Sequence, residues 1–193
     1  MTVEEKNKKF PFRRDLDRYR QGGKVQWFEP SLWAVALYRL GQWCNRRKPA
    51  LLRKLLRALH LPLFSIVTLM TGIHLPRGAR IGGGLRIWHF GCIVVNPDAV
   101  IGDNCTLRQE VTIGNRREEH DVPVLGDNVD VGAGAKILGK IRIGNGVSIG
   151  ANAVVLCDVP DDHIAVGIPA RVLPKTPRGL VSPEALGGVE ESR

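Results

Sequence analysis

Five histidines punctuate this chain, His60, His74, His89, His120 and His163, and two of them stand where an imidazole could do chemistry. Histidine titrates near neutrality and is the side chain best suited to take a proton from an alcohol. His89 is the first candidate. Ile87 and Val95 are eight positions apart, whereas the aliphatic residues before and after them are six apart. A two-residue irregularity therefore coincides with a histidine. Glu110 is a candidate to orient His89. His120 is the second candidate, in the polar run from Asn115 to Val122, although polar loops often carry a histidine without a role. His60, His74 and His163 lack partners in the sequence and are assigned no function. The cysteines Cys44, Cys92, Cys105 and Cys157 form no C-x-x-C pair and no zinc-like spacing, so no metal is expected. No serine or cysteine is evidently paired with a base, so a covalent enzyme intermediate is not expected either.

The element that must position these residues is a repeat. Leu75, Ile81 and Ile87 are spaced by six, as are Val95, Ile101, Leu107 and Ile113, and then Leu125, Val131, Ile137, Ile143, Ile149 and Val155. A small or β-branched residue follows four places on, as at Ala79, Ala99, Cys105, Val111, Val129, Ala135, Val147 and Ala153. A period of six fits neither the 3.6 of a helix nor the alternation of a strand. It fits a solenoid of short parallel strands whose aliphatic side chains stack inside. If one turn is three hexads, Ile87 lies under Leu107 and Gln109 lies one coil above His89. With residues 115–122 expelled as a loop, Ala133 and Ala151 continue that column. Glu119 could not occupy the interior place that strict period six would give it.

Composition bounds the rest. The 193 residues suit one domain, or one domain with a small appendage, and 44% apolar content can build a core. A net charge of +9 implies an anionic partner. Nucleic acid ranks last, because aromatics are 6% and no nucleic-acid motif is present. The polar N-terminus lacks a signal-peptide core, so a cytoplasmic location is expected. Residues 1–72 read as a helical region. A short helix follows Phe10-Pro11-Phe12, and a second is opened by Pro30 with Ser31 as N-cap. Residues 50–70 then combine a leucine stripe, Arg53, Lys54 and Arg57 with an apolar run. That run is short of the roughly 20 residues a membrane span needs. It reads first as a helix covering the open end of the solenoid. A second reading is a basic amphipathic element at the inner face of an anionic membrane, and both can hold. Residues 174–193 read as a flexible tail.

The motif [aliphatic]-Gly-x-x-[small]-x resembles that of the hexapeptide-repeat acyltransferases. The ordered set Ile73-His74-Leu75-Pro76, Ile87-Trp88-His89-Phe90-Gly91, Gly132-Ala133-Gly134-Ala135-Lys136-Ile137-Leu138-Gly139 and Val166-Gly167-Ile168-Pro169-Ala170-Arg171 resembles serine O-acetyltransferases and their polysaccharide-modifying relatives. The resemblance implies a mainly β fold, a left-handed parallel β-helix over residues 73–173 behind a small helical region. It implies a homotrimer with acetyl-CoA between neighbouring solenoids and His89 meeting His120 across the interface. Gly134, Ala135, Gly150 and Ala151 would contact the pantetheine arm, and Arg171 and Lys175 the nucleotide phosphates. Two departures bear on the acceptor. Trp88 stands where the serine enzymes have an aspartate, and Glu119 where they have an arginine that helps hold the amino-acid carboxylate. A desolvated serine carboxylate without that arginine is costly, whereas Trp88 offers a flat surface for a sugar ring. The expected reaction is therefore O-acetylation of a saccharide of a cell-surface polysaccharide or its lipid-linked precursor. His89 acts as general base, and Trp88, Gln109 and Glu119 line the acceptor site. Serine O-acetylation is the alternative. A lyase resembling the γ-type carbonic anhydrases is a third reading, and it lacks a third histidine at a matching position.

Overall fold

The computed structural model describes residues 11–45 and 49–175. Residues 1–10 of the expected helical region and the expected tail beyond Lys175 lie outside the described residues.

From Ile73 onward the hexads wind into a triangular parallel solenoid with three strand faces. The first face stacks Ile73–His74, Ile93–Val95, Thr112–Gly114, Lys136–Leu138 and Val154–Val155. The second stacks Arg80–Ile81, Val100–Ile101, Val124–Leu125 and Arg142–Ile143. The third stacks Arg86–Trp88, Thr106–Arg108, Asp130–Val131, Ser148–Ile149 and His163–Val166, closed by Arg171–Pro174 running antiparallel. The predicted register is present: Ile87 lies on Leu107, Leu107 on Val131, and Val131 on Ile149. The ladder also runs unbroken from Ile101 to Leu125. Residues 115–122 therefore leave the coil as a loop, and Glu119 is exposed on it.

Side chains at the period-six positions are buried almost without exception. Each such Ile, Leu or Val contributes about 1.5–3 kcal/mol relative to exposure. The small residues four places on, from Ala79 to Ala153, are equally buried. They fill the tight interior of the corners, where a larger group would overpack. Cys105 belongs to this set, and burial pushes its thiol up to about 11.

The N-terminal region forms α1 (Pro11–Arg18), a two-stranded hairpin of Arg20–Gln21 and Lys24–Val25, α2 (Pro30–Asn45) and α3 (Ala50–Thr71). Most of the cover over the first coil comes from α2, and residues 50–70 add only Val67 on the core and Phe64 on His74. Leu32, Ala34, Val35 and Tyr38 are buried, and the last three join the solenoid core. The Tyr38 hydroxyl donates to the Ala79 carbonyl at 2.7 Å, and Arg39 donates to the carbonyls of Ile81 and Gly82. Asp15 of α1 completes this hub. It accepts from Arg39 Nε at 2.7 Å and from the backbone N–H groups of Gly84 and Leu85 at 2.8 Å. Ser31 also departs from expectation. It lies inside α2 and spends its hydroxyl on the Ile87 carbonyl at 3.0 Å rather than on an N-cap. Helix α3 continues through Pro62 and packs mainly on α2.

Candidate active site

Strand Arg86–Trp88 runs into a corner before the chain re-enters the first face. Trp88 pairs with Arg108 and Val94 with Thr112, so residues 89–93 oppose residues 109–111 of the next coil, five against three. This is the two-residue excess read from the spacing. His89, Gly91 and Cys92 all take left-handed φ values, 61°, 121° and 49°. Non-glycine residues in that region cost on the order of 1–3 kcal/mol each. Local hydrogen bonds hold the corner: Glu110 N–H donates to the Gly91 carbonyl and Ile93 N–H to the Gly72 carbonyl, both at 2.9 Å. His89 is exposed on this corner.

Above it the predicted column is present from Gln109 upward, while the corner bond that regular stacking would give His89 goes to Gly91. Gly134 N–H donates to the Gln109 carbonyl at 2.9 Å and Asn152 N–H to the Ala133 carbonyl at 2.8 Å, which stacks the corners of successive coils. The Gln109 side-chain oxygen is buried and has no hydrogen-bond partner among the described residues. Glu110 also belongs to the corner, with φ 64°, and its carbonyl accepts from the Lys136 ammonium. No hydrogen bond joins its carboxylate to His89 among the described residues, so the orienting role read for it has no contact to rest on.

Trp88 is half-committed. The Arg86 guanidinium lies between the rings of Tyr19 (4.0 Å) and Trp88 (4.1 Å) and grips Glu29 with both terminal nitrogens, at 2.5 and 2.7 Å. Arg86 is fully buried, whereas Trp88 stays 38% exposed. One indole face is thus fixed by a structural cation, and any stacking on a substrate must use the other. Sequence reading missed this sandwich, because nothing in the spacing ties Tyr19 and Glu29 to Arg86.

His120 stands on the expelled loop, 82% exposed, with Nδ1 2.8 Å from Asp98 Oδ2. The Asp98 hydrogen bond and charge, with a lesser contribution from Glu119, raise its pKa above the ordinary imidazole value. It shares a shallow depression with Gly78, Arg80, Asp98 and Val122 at the corner between the first and second faces. His89 sits at the corner between the third and first faces. Within one chain the two histidines therefore occupy different corners of the triangle.

The small residues read as a cofactor strip divide. Gly134 has φ 73°, and a Cβ there would lie 2.0 Å from the Asn152 side-chain oxygen, so only glycine fits. Ala151 is exposed at the upper end of the column, and Gly150 is half-buried beside it with its N–H given to the Ala165 carbonyl at 2.8 Å. Ala135 is a correction. Its methyl lies in the core, its N–H reaches the Gly132 carbonyl, and its carbonyl accepts from Thr112, so no group of it faces outward. Arg171 pairs with Val166, at the edge of the third face toward the His89 corner. Lys175 lies apart from it: its ammonium donates to the Gly146 carbonyl at 3.1 Å, at the opposite edge of that face, so within one chain Arg171 and Lys175 do not meet.

A triangular parallel solenoid of hexads is the architecture of the bacterial hexapeptide transferases, and residues 123–157 match the family described as "Bacterial transferase hexapeptide (six repeats)". The chain is 39% identical over 150 residues to a serine acetyltransferase of Helicobacter pylori strain 26695, covering 76% of this chain and 82% of that protein. It is 39% identical over 156 residues to the serine acetyltransferase of Synechococcus elongatus, covering 80% of this chain. It spans only 61% of the length of that second relative. A solved serine acetyltransferase in complex with CoA superimposes with a TM-score of 0.71 at 28% identity, over 88% of this chain and 71% of that one. The chain belongs to the serine acetyltransferase family of hexapeptide-repeat acetyltransferases.

Proposed function

We propose that the chain transfers the acetyl group of acetyl-CoA to an acceptor hydroxyl, with His89 as general base. The observation that carries this reading is an exposed imidazole on a strained corner, at the foot of an edge lined by Ala133, Gly134 and Ala151. Such an edge lets a thioester arm lie close to the backbone. His89 would take the hydroxyl proton as the acceptor oxygen attacks the thioester carbon. A backbone N–H of the edge that is not already given to a neighbouring carbonyl would stabilise the tetrahedral oxyanion. The C–S bond then breaks, and the imidazolium returns its proton to the departing CoA sulfur. A relative solved with CoA supports this co-substrate. Because His89 and His120 lie on different corners, a site using both needs at least two copies, which fits the homotrimer that the family resemblance implies.

The relatives are named for serine, so L-serine, not the saccharide expected from Trp88 and Glu119, is the leading acceptor. The saccharide remains a second reading on one observation. Arg86 fixes Trp88 with its other indole face exposed, and the residue immediately before His120 is Glu119, not an arginine. Purified protein given acetyl-CoA and either L-serine or a panel of sugars separates the two by thiol release. Rapid release with serine supports the first reading, and release only with sugars supports the second.

A further inference from the structure

Helix α3 is apolar on both sides. Its inward side packs Val67 against the solenoid core and Phe64 against His60 and His74, and it also holds polar contacts: Arg57 donates to the Asn45 side chain at 2.9 Å, and His60 Nε2 lies 2.9 Å from the Leu37 carbonyl. Its outward side carries Leu51, Leu55, Leu59, Ile66, Leu69 and Met70, each 54–88% exposed. A helix on a soluble core keeps its outer face polar, and a continuous exposed apolar face of this kind marks a binding surface.

We infer that this outward face lies on an anionic lipid bilayer. The charge around it selects that occupant. No Asp or Glu occurs between Glu29 and Asp98. In the same stretch Arg46-Arg47-Lys48 immediately precedes the helix in the sequence, and Lys54 is exposed beside the leucines. Two copies meeting through this face would set like charges together with no carboxylate on the segment to offset them. A surface of anionic headgroups over acyl chains matches both the basic residues and the apolar stripe. No described helix is long and apolar enough to cross a membrane, so the contact is parallel to the surface.

The placement also matters. Helix α3 ends at Gly72, whose Cα packs so closely on the Gly91–Cys92 backbone that a Cβ would lie 2.8 Å from Cys92 N. The lipid-facing helix thus ends against the His89 corner, which brings the bilayer to the site. That consequence rests on the acetyl-transfer reading, whereas the binding itself does not.

The test is sedimentation of the full chain with phosphatidylcholine vesicles and with vesicles of equal parts phosphatidylcholine and phosphatidylglycerol, with and without added salt. Wild type should pellet with the anionic vesicles, less so in salt, and stay largely free with phosphatidylcholine alone. The triple variant Leu55→Gln, Leu59→Gln, Ile66→Gln should lose about tenfold in bound fraction while melting no lower than wild type. The single variant Lys54→Glu, which leaves the apolar stripe intact, should weaken binding to the anionic vesicles alone. Wild type remaining in the supernatant, or the triple variant binding as well as wild type, overturns the inference. So does a triple variant whose mass by light scattering falls while neither protein binds lipid, because the face then belongs to a second copy.

Discussion

His120 keeps its proton to higher pH than a solvated imidazole, because the Asp98 carboxylate lies 2.8 Å from its Nδ1. The sign follows from a raised folded pKa. The His120–Asp98 pair is charged and intact below the ordinary imidazole pKa, and it fades as pH rises through the raised value. An NMR titration should show His120 with the higher pKa in wild type and a return toward the ordinary value in Asp98→Asn. Equal titration in the two proteins would contradict the contact. The thiols give a second residue-scale outcome. Cys105 is buried with its pKa raised to about 11, and Cys44 is buried, whereas Cys92 and Cys157 are exposed. Since the thiolate is the reactive form, iodoacetamide at mildly alkaline pH should label Cys92 and Cys157 in the native protein. Cys44 and Cys105 should react only after unfolding, as read by peptide mass spectrometry.

Among the elements, α1 and α2 meet the solenoid at a buried ion pair, reinforced by the Tyr38 and Ser31 hydrogen bonds and by Arg14 on Asp103. Asp15 and Arg39 are both buried, and together they satisfy backbone groups from Ile81 to Leu85. Removing one member leaves the other as an uncompensated buried charge. Asp15→Ala or Arg39→Ala should therefore cost about 3–5 kcal/mol in chemical denaturation. A loss below about 1 kcal/mol would mean that water reaches the hub. This is also where sequence reading was strongest and weakest. Period six fixed the interior residues, the loop at 115–122 and the column from Gln109 through Ala133 to Ala151, because each hexad buries its own aliphatic side chain against the same place in the next coil. The same logic could not see that α2 supplies more of the cover over the first coil than α3. Both helices have apolar stripes, and the choice depends on Ser31, Tyr38 and Arg39 meeting carbonyls at the solenoid's open end. Nor could it see that Ala135 points inward and that Lys175 is spent on Gly146, since both follow from chain direction at the corners.

At the scale of the whole molecule, the proposed site is shared between copies. His89 and His120 occupy different corners of one triangle, so each site would take one histidine from each of two neighbours. His89→Ala and His120→Ala homomers, each impaired, should regain activity when dissociated and reassembled together, because some interfaces then carry both intact rings. No recovery in mixed assemblies would place the two histidines in separate roles. The central claim is narrower and can be tested directly: the acetyl-transfer rate of His89→Ala against wild type, read by CoA thiol release with the preferred acceptor. The account predicts a fall of about 10²- to 10⁴-fold, the usual worth of a positioned general base, with an unchanged melting temperature. Transfer at the wild-type rate by the folded variant would contradict it.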